Sequence, residues 1–141
     1  MTPGTGIVEL LAALGVGNIA PHATWPIYES QFPTDDNVAR CIVVREVGGR
    51  SPEVKLAIDY PSVQVLVRGG AQDYMATRAK IEEVFLALQA VPSGPVAYPE
   101  LTSCVTRGGR TFVGYDEVNR PVWSLNFDLI ESKAPEGNRD L

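Results

Sequence analysis

The sequence predicts an α+β fold: an antiparallel-rich or mixed β-sheet with two helices packed on one face. Three observations predict it. Two segments place apolar residues at helical spacing, several others alternate with a period of two, and their order is helix, strands, helix, strands. The 13 glycines and 11 prolines favour several turns and loops over long helices.

The first helix covers residues 5–14, with Thr5 as its N-cap. Ile7, Leu10, Leu11 and Leu14 fall on one face, and Gly15 and Gly17 can end it. Residues 18–37 form an irregular stretch punctuated by Pro21, Pro26 and Pro33. It carries Trp25, Tyr28 and Phe32, which argue for a packed loop with a short extended piece over residues 25–30. Residues 39–47 read as a strand whose Cys41, Ile42, Val43 and Val44 are apolar on both faces. Gly48-Gly49 then reads as a turn, and residues 53–59 as a return strand. Pro61 opens the next strand, in which Val63, Val65 and Val67 face one way and Ser62, Gln64 and Arg68 the other.

A long helix over residues 72–89 is the clearest element. Asp73 in its first turn favours the helix dipole, and Tyr74, Ile81, Val84, Phe85 and Leu88 make its buried stripe. Arg78, Lys80, Glu82 and Glu83 lie mostly on its wet side. Beyond Pro92 the chain reads as two or three antiparallel strands: residues 101–107, a Gly108-Gly109 turn, residues 111–115, a turn over residues 117–120, and residues 121–131. In the last, Trp123, Leu125, Phe127 and Leu129 alternate with Ser124, Asn126 and Asp128. The organisation is one domain over residues 1–131 and a flexible charged tail over residues 132–141.

Hydrophobic residues make up 45% of the chain and charged ones 21%, enough to bury a core. The net charge of −5 gives no basic footprint for sequence-specific nucleic-acid binding. DNA that merely slides past is compatible with an acidic chain, because repulsion prevents sticking. No apolar run is long enough for a membrane helix, and the N-terminus does not read as a signal peptide. Cys41 and Cys104 read as small hydrophobes rather than a disulfide, and with the single His22 they fall short of a structural zinc set.

Catalytic signatures are thin. There is no GxSxG or HExxH, and against a nucleophile–base pair of Cys41 and His22 stands the simpler reading of His22 as a solvated loop residue beside Pro21. The glycine pairs 48–49, 69–70 and 108–109 lie beside Arg50, Arg68 and Arg110 but lack the Walker lysine and serine, so turns explain them more simply. Asp35-Asp36, Glu82-Glu83 and Asp116-Glu117 read as solvated surface. No cofactor, metal or catalytic residue is expected.

The ordered segments Ile27-Tyr28, Pro33, Asp36-Asn37, Ile42-Val43-Val44 and Gly48-Gly49 lead to the most telling part, Pro61-Ser62-Val63-Gln64-Val65-Leu66-Val67-Arg68-Gly69. Asp73-Tyr74 and the long helix follow, then Gly114-Tyr115-Asp116-Glu117-Val118-Asn119-Arg120-Pro121 and Ser124-Leu125-Asn126-Phe127. Together these resemble a tailed-bacteriophage family of minor capsid or tail-completion proteins, the tail terminators. The stretch from Pro92 to Thr111 matches it least.

The resemblance implies a tail-terminator-like fold and a non-enzymatic assembly protein, made in the host bacterial cytoplasm and placed at the head–tail junction of the virion. Its implied partners are further copies of itself in a ring, usually hexameric, the tail-tube protein and the head-completion protein. DNA passes through the pore, and no membrane is involved. A ring needs head-to-tail interfaces that close. For these, Arg68, Arg107, Arg110 and Arg120 are candidates to meet acidic groups such as Asp116 and Glu117, since arginine forks suit bidentate pairing. Trp25, Tyr28 and Phe32 are candidate anchors, with packing inside the subunit as the alternative. The apolar second face of residues 41–45 is a further surface for a neighbour. A head-side neck protein of the same virion is the competing reading, and a small enzyme or cystatin-like ligand-binding fold a more distant one.

Overall fold

The computed structural model describes residues 2–19, 24–33, 38–53, 57–89 and 91–132. Its elements are α1 (Pro3–Ala13), β1 (Ile27–Glu29), β2 (Cys41–Glu53), β3 (Ile58–Arg68), α2 (Tyr74–Gln89), β4 (Leu101–Tyr115) and β5 (Pro121–Ser132). The strands form one sheet in the order β1-β2-β3-β5-β4. β1 runs parallel to β2 and every other neighbouring pair is antiparallel, so the sheet is mixed.

Both helices lie on the same face, which the pleat dictates. Val63, Val65 and Val67 of β3 stand beside Phe127, Leu125 and Trp123 of β5. With Ile42 and Val44 of β2 they form one dry cluster with Ile7, Leu10 and Leu11 of α1 and Ile81, Val84 and Leu88 of α2. Each such side chain, fully buried, contributes about 1.5–3 kcal/mol. In α2 the buried stripe contains Thr77 where Tyr74 was expected. Tyr74 is partly exposed and Phe85 half-buried.

Several local expectations are corrected. The N-cap of α1 is Thr2, not Thr5. Thr2 Oγ1 accepts from Thr5 N–H, and Pro3 fits the first helical turn because that position needs no amide donor. Thr5 instead donates its hydroxyl to Glu29 Oε1 at 2.6 Å. The C-terminus follows expectation: Gly15 takes φ +76°, with Val16 N–H bonded to Leu11 O and Gly15 N–H to Ala12 O.

Gly48-Gly49 is not a turn but a bulged passage inside β2, which runs on to Glu53. A Cβ on Gly49 would sit 2.1 Å from Tyr60 O, so glycine permits a close backbone approach there. Of the strands expected over residues 53–59 and 62–68, Glu53 ends β2, and residues 58–68 form one strand, β3, in which Pro61 has no ladder partner on either side. Gly108-Gly109 likewise lies inside β4, at a register break between Arg107 and Thr111, with Gly108 at φ +77°. The predicted turn before residue 121 is present: Asn119 N–H and Asp116 N–H bond Asp116 O and Arg120 O. The tail over residues 133–141, together with His22, Asp35, Asp36 and Asn37, lies outside the described residues.

One glycine fixes how closely α2 sits on the sheet. A Cβ on Gly69 would fall 1.8 Å from Thr77 Oγ1, whose hydroxyl is held on Asp73 O at 2.6 Å. Gly69→Ala is therefore expected to destabilise the fold by about 1–3 kcal/mol through overpacking. Gly48→Ala, with open space around it, should stay within about 0.5 kcal/mol. Urea unfolding of the two variants measures the difference, and equal stabilities would refute this account of the α2 contact.

Candidate assembly surface

The sheet face away from the helices changes character along its length. At one end Cys41, Val43, Leu66 and Val122 form a small apolar cluster covered by Tyr28, Phe32 and Val38. Arg68 closes it. It is only 4% exposed, donates to Val38 O (2.8 Å) and Ala39 O (3.2 Å), and stacks 4.9 Å from the Phe32 ring. The expectation that the second face of residues 41–45 meets a neighbour is therefore corrected. The subunit covers this apolar end with its own loop and with β1, and Arg68, Tyr28 and Phe32 are brought together to do so.

Trp25 stands apart from that group, on the helix side. Arg40 and Lys80 both lie 5.3 Å from its ring. Arg40 is paired with Asp73 at 2.7 Å, and Lys80 donates to Val16 O at 2.8 Å while pairing with Glu83. Lys80 was expected on the wet side of α2, but its side chain is largely buried because its stem and ammonium tie α2 to the turn after α1.

The remaining candidates divide into three sites. Arg107 donates to Asp128, and Ser62 Oγ accepts from Arg107 Nη2 (2.7 Å) while donating to Asp128 Oδ1 (2.7 Å). This network borders a shallow pocket of about 250 Å³ that Arg50, Tyr60 and Val105 also line. Arg110 reaches back to α2, bonding Glu82 at 2.8 Å and stacking 4.3 Å from Phe85. Arg120 and Asp116 are neighbours in the β4–β5 turn. Asp116 accepts from the Val118 and Arg120 amides and from Arg120 Nε (2.6 Å), while Glu117 beside it is exposed. Arg120 and Asp116 are thus paired with each other inside one turn of the subunit.

Sequence reasoning missed the sheet edge. Nothing among the described residues forms a ladder with the outer side of β4, a strand of 15 residues. One amide on it, Thr106 N–H, is taken by Gln89 Oε1 of α2 (3.1 Å). The strand contains no proline, lysine or acid, and its two arginines are engaged as described. Val105, Phe112, Val113 and Tyr115 are exposed on it, and Phe112 packs with Tyr115, Tyr74 and Trp123 at ring separations of 5.3–5.5 Å. On the opposite side, β1 pairs only with Ile42, Val43 and Val44, and residues 45–53 of β2 are all exposed. The β-branched and aromatic content of residues 101–115 was visible in the sequence. Which side of the strand stays unpaired was not.

This architecture, a helix-backed sheet with open strand edges, is found in a chain whose residues 10–131 match the family model described as bacteriophage tail terminator protein. The chain belongs to that family. No curated protein matches it. As a tail terminator it is a structural component of a phage tail. Its thiols suit a structural role: burial pushes Cys41 up to about 11 and Cys104 up to about 12, so both stay protonated at neutral pH. Among the described residues no group of three or more His, Cys, Asp and Glu is placed to hold a metal, and no helix is long and apolar enough to cross a membrane.

The Arg107 hydrogen bond, with help from Ser62, holds the Asp128 carboxyl below its ordinary value. Stability from this group is therefore complete above about pH 4 and is lost as pH falls through the lower folded value. A carboxyl-carbon NMR titration should show the Asp128 midpoint moving upward in Arg107→Gln. An unchanged midpoint would remove Arg107 as the cause. At neutral pH a thiol reagent should label neither cysteine until the protein is unfolded, and rapid native labelling would contradict their burial.

Proposed function

We propose that this tail terminator assembles into a closed ring, a hexamer, that caps the tail tube at the head–tail junction. It presents its other face to the head-completion protein while DNA passes through the pore. The observation that carries this reading is the unguarded outer edge of β4. Isolated soluble subunits blunt long edge strands with charge, proline or cover, because an open row of N–H and C=O groups templates pairing with another chain. Here that edge has two engaged arginines, one side-chain cap and a run of exposed apolar residues. A subunit with such an edge is completed by a neighbour.

Charge supports the rest. The chain carries −5, so a pore built from it repels the DNA backbone rather than retaining it. The arginines first considered for the interface are engaged within the subunit. Exposed pairs of that kind contribute little, about 0–1 kcal/mol each, so association rests on backbone pairing and apolar contact.

Light scattering of the purified protein, with negative-stain microscopy of tail tubes to which it has been added, tests the proposal. Rings are expected at tube ends, and phage lacking the protein should make overlong or headless tails. A strict monomer up to millimolar concentration, with bare tube ends, would refute it. Capture by head-completion protein but not by tail tubes would favour a head-side neck protein.

A further inference from the structure

We infer that the surface closing the ring is a continuous β-sheet between copies, in which the outer edge of β4 pairs antiparallel with residues 45–53 of β2 in the next copy. The inference rests on the ring reading and adds which surfaces meet and in what register.

Topology supplies the first argument. The two edges that are unpaired among the described residues lie on opposite sides of one five-stranded sheet. They cannot satisfy each other inside a subunit, and a two-fold dimer would bring like edges together. Joined head to tail they make a heterologous contact, the kind that generates rings. The strand directions agree. β2 is antiparallel to β3, β3 to β5 and β5 to β4, so β2 and β4 run opposite ways. A neighbour that continues the sheet in the same orientation therefore sets β4 antiparallel to β2, the more stable pairing.

Register supplies the second. Val47 stands opposite Ser62, Ser62 opposite Asp128, and Asp128 opposite Val105, which is one row across the sheet. Copies related by rotation without stagger therefore place Val47 of one against Val105 of the next. Both valines are on the sheet face away from the helices, and both are exposed, 37% and 52%. A cross-strand pair of β-branched residues suits such a junction.

The third argument is that, among the described residues, 45–53 bury little against their own subunit. β2 is buried from Cys41 to Val44 and exposed at all nine following residues. A strand exposed on both faces gains little from its own chain, and the edge of a second copy supplies what is missing. Below this junction, β1 of the neighbour lies level with Thr111 and Phe112, since Tyr28 shares a row with Val43, Leu66 and Ser124, and Ile27 one with Ile42, Val67 and Trp123. That part of β4, beyond the break at Gly108-Gly109, thus faces the protected part of the neighbour's edge rather than β2.

Cysteine cross-linking tests this. Val47→Cys is combined in turn with Ser103→Cys, Val105→Cys or Arg107→Cys. Residues directly opposite in an antiparallel pair fall within disulfide range, and the native cysteines are buried. After mild oxidation, Val47→Cys/Val105→Cys should run mostly as multiples of the 15.2 kDa chain up to the ring number, with neither single variant doing so. Dimers from Val105→Cys alone would overturn the inference in favour of two-fold edge pairing. Hydrogen exchange on the unmodified protein gives an independent readout, with slower exchange expected for residues 101–107 and 45–53 in rings than in diluted subunits. Rings that form without cross-links at any pair and without that protection overturn this surface and leave the ring reading standing. Failure of the unmodified protein to form rings overturns both.

Discussion

The register between β3 and β5 is the constraint on which the rest of the structure depends. Val63, Val65 and Val67 point to the helices only while they stand beside Phe127, Leu125 and Trp123. A slip of one residue would turn the apolar row of one strand outward and bring its polar row, Ser62 and Gln64 of β3 or Asn126 and Asp128 of β5, under the helices, leaving polar groups unpaired in a dry layer. Everything else hangs from this pair. β2 is added on one side and β4 on the other, α1 and α2 close one face, and the loop carrying Tyr28 and Phe32 closes one end of the second.

Two close contacts set the thickness of the helix layer. Gly69 lets α2 approach through Thr77, and Gly6 of α1 accepts the Tyr98 ring, which would lie 2.5 Å from a Cβ there. Tyr98 donates its buried hydroxyl to Glu131 at the end of β5. Burial and the Glu131 carboxylate both push its phenol well above the ordinary range. A polar pair joining the loop before β4 to the end of β5 thus lies beneath α1, and it anchors Tyr98, from the least readable part of the sequence, in the core.

Periodicity made much of this legible, and its failures have a common cause. The two-residue alternation of 62–68 and 121–131 and the helical stripe of 72–89 follow from burial on one face, which leaves a mark at every residue. Gly48-Gly49 and Gly108-Gly109 misled because a glycine pair between apolar runs marks either a turn or a bulge, and only the partner strand decides. Pro61 misled similarly, since both ladders skip it. The candidate surface was less legible still. Arg68, Tyr28 and Phe32 turned inward because the residues they meet, among them Val38, Cys41, Val43, Leu66 and Val122, lie far apart in the sequence. The openness of β4 is a property of pairing order, which no local pattern encodes.

The bulge at Gly108-Gly109 has a kinetic meaning. It interrupts the register of β4 between Arg107 and Thr111, so a strand laid along its rim cannot zip from end to end. If copies join along that rim as proposed, each single junction comes apart before an error is locked in, and only a closed circuit, in which every member is held from two sides, becomes long-lived. An imperfection in one strand would thereby favour finished assemblies over open fibres.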